Sequence, residues 1–410
     1  MAATIISNIR SLVNTRIENK LLRGKELAEL PCMENAYLII EDGIIADYGM
    51  MKDIPVDAED SIDAFGQFVL PCWCDSHTHL VFAASREEEF VDKIKGLSYA
   101  DIAARGGGIL NSAKKLNETS ESDLLRMAMA RLNELMQLGT GAIEIKSGYG
   151  LSVEGELKML RVIKKLKELS PIPVKATFLG AHTYPAAFKE DHQRYIDLII
   201  NEMLPVIEKE ELADYIDVFC EKGFFSPEEA ETICKAGMSY GLKPKIHANQ
   251  LNLSGGVQTG VKLGAVSVDH LETIDEKTIM ELANSQTIGT LLPTAAFFLR
   301  MPFQPARQLI DGGCAISLAS DYNPGSSPSG NMNLVVAMSC IQMKMLPEEA
   351  INAATINGAY AMELENEVGS ITVGKKANLI FTKPVSSLAY LPYSFGSNLF
   401  DKVMIGGEFI

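Results

Sequence analysis

Between Phe68 and Ser320 the chain repeats one pattern: a short apolar run, closed by polar or glycine-rich residues, leads into a longer stretch of helical periodicity. The apolar runs are Phe68–Asp75, Gly141–Lys146, Val174–Gly180, Ile216–Cys220, Pro244–His247, Ala265–Asp269, Thr287–Leu292 and Ala315–Ser320. Helical stretches such as Glu121–Leu138, Val153–Leu169 and Pro227–Tyr240 separate them. Strand alternating with helix is the signature of β/α units around a parallel sheet. Eight strands close such a sheet into a (β/α)8 barrel, and barrel sites lie at the C-terminal strand ends. A doubly wound dinucleotide-binding sheet is the weaker alternative, because no Gly-x-Gly-x-x-Gly follows the first strand.

The flanks read differently. Tyr-Leu-Ile-Ile from Tyr37 meets the turn Glu41-Asp42-Gly43 and resumes as Ile-Ile-Ala-Asp-Tyr, the pattern of a β-hairpin, and the first 65 residues look like strands. After a helix around Pro347–Met362, the tail from Gly369 to Phe381 returns to a β pattern with turn glycines. The expected organisation is therefore a composite β-sandwich built from residues 1–66 plus 369–410, with residues 67–368 forming the barrel between them.

Charge narrows the partners. With 53 Asp+Glu against 37 Lys+Arg the net charge is −16, and such a chain repels phosphate backbones and anionic lipid surfaces. Nucleic acid and membrane are not expected. Seven scattered cysteines form no disulfide framework, the first 16 residues lack a basic start with an apolar core, and nowhere do 18 apolar residues run together. A reduced, cytoplasmic protein acting on a small molecule is expected; a homodimer is left open.

Four of the six histidines close strands, and these carry the chemistry. In Asp75-Ser-His77-Thr-His79 the imidazoles stand at i and i+2, on one face of an extended backbone, so both can reach one metal ion. Alone, His-x-His is equally an ordinary polar strand end. Context decides: His247 closes the fifth strand, His270 the sixth, and Asp321 follows the eighth. Imidazoles with one carboxylate make a borderline donor set, suited to Zn²⁺ and also to Fe²⁺ or Mn²⁺.

This ordered set, Asp75-Ser-His77-Thr-His79, His247, Asp269-His270 and Ser320-Asp321, resembles the amidohydrolase superfamily of metal-dependent hydrolases. Longer segments narrow the resemblance to its ring-opening branch in histidine degradation: Arg105-Gly-Gly-Gly-Ile109, Lys146-Ser-Gly-Tyr-Gly-Leu151, Phe178-Leu-Gly-Ala-His-Thr-Tyr-Pro185, Asp321-Tyr-Asn-Pro-Gly-Ser-Ser-Pro328 and Tyr390-Leu-Pro-Tyr-Ser-Phe-Gly396. The resemblance implies a distorted (β/α)8 barrel with a β-sandwich from both termini, and one divalent metal, zinc or iron, held by His77, His79, His247 and Asp321. It places Arg86, Tyr149, His182, Gln250, Asn323, Gly325 and Ser326 at ligand-binding positions. The implied activity is hydrolysis of the cyclic amide C–N bond of 4-imidazolone-5-propanoate to N-formimidoyl-L-glutamate by a metal-activated water. One departure stands out: some relatives carry Glu where this chain has Gln250, and an amide cannot act as a general base.

Within that scheme Asp321 is expected to accept the water's proton and His270 to hydrogen-bond the developing oxyanion. Arg86, among Glu87, Glu88 and Glu89, reads either as a solvated residue paired with those acids or as the local cation that a −16 chain needs to hold a carboxylate substrate. Tyr149, between two glycines, either packs its loop or aims its hydroxyl inward. His182 either binds substrate or bonds a neighbouring loop. His192, in a polar run, reads as surface, Cys72 and Cys74 as buried strand thiols, and Gly106-Gly107-Gly108 as a loop near the site. Glu221, after the fourth strand, is a bridge to a second metal only if the mononuclear expectation fails. Two rival functions are a deaminase of a cyclic base, which has less use for an arginine anchor, and a non-catalytic amidohydrolase-like assembly protein, which should have lost ligands.

Overall fold

The computed structural model describes residues 3–55, 60–97 and 107–410. The N-terminal segment contributes β1 (Thr4–Val13), β2 (Cys32–Glu41), β3 (Ile44–Met50), β4 (Asp60–Asp63) and β5 (Phe68–Pro71). The hairpin between β2 and β3 turns on Asp42 and Gly43, with φ of 51° and 76°, the pair of left-handed residues that a tight two-residue turn requires. A Cβ on Gly43 would stand 2.5 Å from the carbonyl oxygen of Gly406, so this turn also packs closely against the turn that joins the last two strands of the chain.

Eight strands then follow in sequential order: β6 (Trp73–Thr78), β7 (Thr140–Lys146), β8 (Val174–Ala181), β9 (Tyr215–Cys220), β10 (Lys243–Ala248), β11 (Ser267–His270), β12 (Ile288–Leu291) and β13 (Ile316–Leu318). All seven neighbouring pairs are parallel. Every residue of β6, β7 and β9 is buried, as expected of a parallel sheet covered on both faces. The covering helices include Glu121–Gln137, Val153–Leu169 and Pro227–Ser239, each started by a serine (Ser120, Ser152, Ser226) whose hydroxyl accepts a backbone N–H of the first turn. The expected helix around Pro347–Met362 is two helices, Pro347–Ala354 and Ile356–Ala361. Thr355, at φ −119° and ψ −91°, breaks the helix while its hydroxyl donates to the carbonyl of Ile351.

The C-terminal strands β14 (Leu379–Thr382), β15 (Phe400–Ile405) and β16 (Glu408–Phe409) return to the N-terminal ones. The resulting sheet has the order β16-β15-β14-β5-β1-β2-β3, with β4 on β1. Its core is separate from the barrel's and includes Ile6, Ile9, Leu12, Leu38, Phe381 and Met404.

One sequence expectation is corrected here. The run Phe68–Asp75 is not one barrel strand: Phe68–Pro71 pairs with β1 and β14 in the terminal sheet, and only Trp73 onward enters the barrel. Pro71 has no N–H to continue a ladder. Immediately after it, Cys72 N donates to Asn378 O at 2.9 Å and Trp73 N to Gly139 O at 2.8 Å, so the chain changes sheets across two residues.

The barrel is distorted at its seam. β13 is only three residues long, and the residues after it complete the closure: Asp321 N donates to His77 O (3.0 Å) and His79 N to Tyr322 O (2.9 Å).

Lys375 is buried in the descent from the last helices to the terminal sheet, donating to Val368 O at 3.1 Å and Ser370 Oγ at 2.7 Å. Burial pulls its pKa down to about 8. Between that value and the unfolded value of about 10.4 the unfolded chain binds the extra proton, so stability must rise with pH across this window. In urea unfolding, wild type is expected to gain up to about 3 kcal/mol on Lys375→Met between pH 8 and 10.4. A difference that stays flat over that range would show an unperturbed lysine.

Candidate active site

The end of β6 builds the floor. Alternation along the strand sends His77 and His79 to the same side, and both are buried. His247, at the end of β10, meets them: the His77 and His247 ring centroids lie 4.5 Å apart and those of His79 and His247 5.7 Å apart. One ligand atom from each of these three imidazoles falls within 4.8 Å of the others. Each ring turns its Nδ1 outward. His77 Nδ1 is 2.6 Å from Asp269 Oδ2, His247 Nδ1 2.9 Å from Asp217 Oδ2, and His79 Nδ1 3.3 Å from the Ser147 carbonyl.

Among the described residues, Nε2 of His77 and both ring nitrogens of His247 are buried without a hydrogen-bond partner, the approach of His247 Nδ1 to Asp217 Oδ2 being an ion-pair contact. Buried polar atoms are rarely left so. Burial, reinforced by neighbouring positive groups, holds His77 and His79 well below the usual histidine range, in the neutral form that ligates metals. Asp321 lies beside the group, with Oδ1 3.6 Å from Nε2 of both His77 and His79. Burial pushes its carboxyl up to about 6, against the pull of His270 and His247. An ion fits here: the donor types are right, their free lone pairs converge, and a cation would relieve the cost of two orphaned nitrogens and a buried carboxylate.

Left-handed backbone recurs where strands release these residues. Asn249, His270, Leu271 and Asp321 have φ of 56°, 91°, 65° and 52°. Such conformations cost on the order of 1–3 kcal/mol each and persist where surrounding structure imposes them. Here the hydrogen bond from Asp321 N to His77 O imposes one. His270 sits beside the imidazoles, its ring 5.3 Å from that of His247 and its Nδ1 3.3 Å from Glu272 Oε1. Burial lowers its pKa, but Glu272 and nearby carboxylates outweigh burial and leave it raised.

The loop after β7 forms one wall. Glu156 accepts the backbone N–H groups of Gly148 (2.9 Å), Gly150 (2.7 Å) and Leu151 (3.0 Å), folding the loop around one carboxylate and presenting Tyr149. His182 Nδ1 lies 2.9 Å from the Gly148 carbonyl, and a Cβ on Gly148 would stand 2.8 Å from that nitrogen. The ring of His182 stacks on His79 at 5.5 Å.

Opposite, Asn323 organises the loop after β13. Its Oδ1 accepts from Gly325 N and Ser326 N, both at 2.8 Å, and its Nδ2 donates to Asp321 O and Ser326 Oγ. Arg86 lies against this loop, with Nη1 2.7 Å from where a Gly325 Cβ would be. Its Nε donates to Ser112 Oγ at 2.8 Å, and its guanidinium sits 5.8 Å from the centre of the Tyr149 ring. Among the described residues, Nη2 is buried with no hydrogen-bond partner.

Together these walls enclose a cavity of about 440 Å³. His79, Arg86, Tyr149, His182, His247, Gln250, His270, Asp321, Asn323, Gly325 and Ser326 line it, with His77 beneath. The residues to which the resemblance assigns metal-holding, catalytic or ligand-binding positions thus converge on one place. Others do not. His192 stacks on Tyr184 at 3.7 Å and pairs with Glu229, outside the cavity. Glu221 accepts from Lys222 N, Leu251 N and Asn252 Nδ2, so its carboxylate braces the loop carrying Gln250. Cys72 and Cys74 are buried free thiols. Of the triple glycine, Gly106 lies outside the described residues, as does Arg105, while Gly108 N donates to Glu89 Oε1.

A family model described as "Amidohydrolase family" matches residues 68–410. The chain is 59% identical to an imidazolonepropionase of Flavobacterium johnsoniae, over 99% of this chain and 100% of the relative, and 55% identical to one of Christiangramia forsetii over 99% of each. The chain belongs to the amidohydrolase family, among the imidazolonepropionases. Its fold is shared more widely: an atrazine chlorohydrolase of Arthrobacter aurescens, solved with zinc and atraton, superposes with a TM-score of 0.75 at 15% identity, covering 99% of this chain and 94% of that one.

The family's metal dependence gives the three-imidazole group its natural reading. Sequence reasoning missed what lies behind that group. Glu144, Lys146, Asp217, Lys245 and Asp269 form a buried ionic layer inside the barrel, and Glu156 and Glu272 support the rim. The signal was present, since charged residues at alternate positions interrupt otherwise apolar strands, as in Gly-Ala-Ile-Glu-Ile-Lys.

Proposed function

We propose that the chain hydrolyses the ring C–N bond of 4-imidazolone-5-propanoate to give N-formimidoyl-L-glutamate, with one divalent ion, zinc or iron, held by His77, His79, His247 and Asp321. The observation that carries this is the presence, in one cavity, of converging unpartnered imidazole nitrogens and an arginine with a free, buried Nη2. When bound, such an ion lowers the pKa of a water from about 15.7 toward about 7 and polarises a carbonyl oxygen.

The chain's own residues do the rest. Arg86 takes the propanoate carboxylate through its fork, while Tyr149, His182, Gln250 and the loop holding Asn323, Gly325 and Ser326 orient the ring. The ring carbonyl carbon gains the water's oxygen and becomes the α-carboxyl carbon, and its bond to the adjacent ring nitrogen breaks. Asp321 accepts the water's proton and delivers it to that departing nitrogen. His270, its Nδ1 side held by Glu272, donates to the carbonyl oxygen as negative charge grows there. Gln250 can only hydrogen-bond and is given no proton-transfer role.

Incubation with freshly made 4-imidazolone-5-propanoate should consume it and yield N-formimidoylglutamate. Ammonia release with the ring left closed would move the reading to a cyclic-base deaminase. Elemental analysis should find one metal ion per chain, and stripping it with a chelator should abolish turnover until Zn²⁺ or Fe²⁺ is restored. Active protein with near-zero metal, or a stable ratio near two, would overturn the mononuclear site.

The same proposal divides the chain into a β-sandwich domain, 1–66 plus 369–410, and a barrel domain, 67–368. It sets the enzyme in the cytoplasm with a small-molecule substrate and without nucleic-acid or membrane partners, and it admits a homodimer. The net charge of −16 supports this, as does the lack, among the described residues, of a helix long and apolar enough to cross a membrane.

A further inference from the structure

We propose that Lys146 is a positioning residue for the metal centre: its ammonium fixes Asp217 and Asp269, the two carboxylates that aim the imidazoles of His247 and His77. This rests on the reading of those histidines as metal ligands. The contacts are specific to single atoms. Asp217 Oδ2 lies 2.9 Å from His247 Nδ1 and 2.9 Å from Lys146 Nζ. Asp269 Oδ2 lies 2.6 Å from His77 Nδ1 and 3.4 Å from Lys146 Nζ. One cation therefore touches the carboxylate oxygens that lie against Nδ1 of two ligands from different strands, β6 and β10, the one on His77 through a hydrogen bond and the one on His247 as an ion-pair contact.

The environment makes this grip matter. Lys146, Asp217 and Asp269 are at most 1% exposed, so bulk solvent does not screen the two carboxylates from each other. Among the described residues Lys146 is the only cation paired with both. Without it, like charges drive the carboxylates apart, and each imidazole loses the carboxylate that lies against its Nδ1. Outer partners of ligating histidines typically govern metal affinity by about 10–100-fold.

A matched comparison exists within the same layer. Lys245 is equally buried, pairs with Glu144 as Lys146 does, and donates otherwise to Ala361 O at 2.8 Å. It touches neither carboxylate that holds a histidine. Deleting either lysine removes one buried cation, but only Lys146 should affect the ligands.

The test uses the full chain, stripped of metal and titrated with Zn²⁺ against a competing chelator, alongside thermal unfolding of the apoprotein. Lys146→Met and Lys245→Met should both lower the melting temperature. Lys146→Met should weaken Zn²⁺ binding by about 10–100-fold, while Lys245→Met stays within about threefold of wild type. In a background of Asp217→Asn with Asp269→Asn, adding Lys146→Met should cost little further affinity, because its route to the histidines is already cut. Wild-type affinity in Lys146→Met, an equal loss in the two lysine variants, or full additivity in the cycle would overturn the proposal. If Lys146→Met does not fold, Lys146→Gln with Glu144→Gln, which removes one charge of each sign, is compared with Lys245→Gln plus Glu144→Gln under the same criteria. Should wild type and His77→Ala bind Zn²⁺ equally, the ligand reading itself fails, a result distinct from failure of the role of Lys146.

Discussion

Asp321→Asn should keep its fold and lose nearly all turnover. The amide preserves the shape of a residue whose main chain already joins the barrel seam through Asp321 N and His77 O. It cannot take a proton at the pH of catalysis, and general-base contributions are typically about 10²–10⁴-fold. Loss of a carboxylate oxygen 3.6 Å from Nε2 of both His77 and His79 also weakens the metal set, so turnover must be measured with Zn²⁺ in excess and bound metal determined on the same sample. Gln250→Ala should be much milder, since that amide only hydrogen-bonds. Near-wild-type turnover in metal-loaded Asp321→Asn would remove the base role from Asp321.

Arg86→Ala should cost about 2–5 kcal/mol in kcat/KM, the usual consequence of truncating one partner of a buried, hydrogen-bonded charge pair. The guanidinium is already positioned: Ser112 holds Nε, and Gly325 lets Nη1 approach the loop where any side chain would collide. Its unpartnered Nη2 is the atom a carboxylate would satisfy. Arg86→Lys should recover only part of the loss, because a point ammonium cannot reproduce a planar two-bond fork. The loss falls in KM if the tail is gripped equally in ground and transition states, and in kcat if that grip sets the ring carbonyl in place. An imidazolone lacking the carboxylate provides the control: wild type should process it poorly, and Arg86→Ala should make it little worse. Equal damage on both substrates would make Arg86 a structural residue.

What could be read from the sequence was whatever a period or a strand end encodes. His77 and His79 share a face because side chains alternate, and His247, His270 and Asp321 close or follow short runs that read as strand candidates. Arg86 is ambiguous in the sequence because its choice between solvent and cavity depends on Ser112, in the helix Ile109–Glu118, and on Gly325, in the loop after β13. The transfer of the chain from one sheet to another at Cys72 was hidden inside an unbroken apolar run, since it is decided by Asn378, far along the chain. Lys146, Asp217 and Asp269 went unassigned for a related reason. A charge in an apolar strand signals burial with a partner, but the partner stands on another strand, and only the barrel's closure says which one.

The terminal sheet has a consequence for synthesis. β5 lies between β1 and β14, so one of its edges waits for a strand encoded roughly 300 residues later. At about 5–20 residues per second, translation of that interval takes about 15–60 s. Throughout it the nascent chain carries an unpaired, apolar strand edge, the feature most prone to pairing with a neighbouring chain. Ribosomes spaced along one message would hold several such edges near one another.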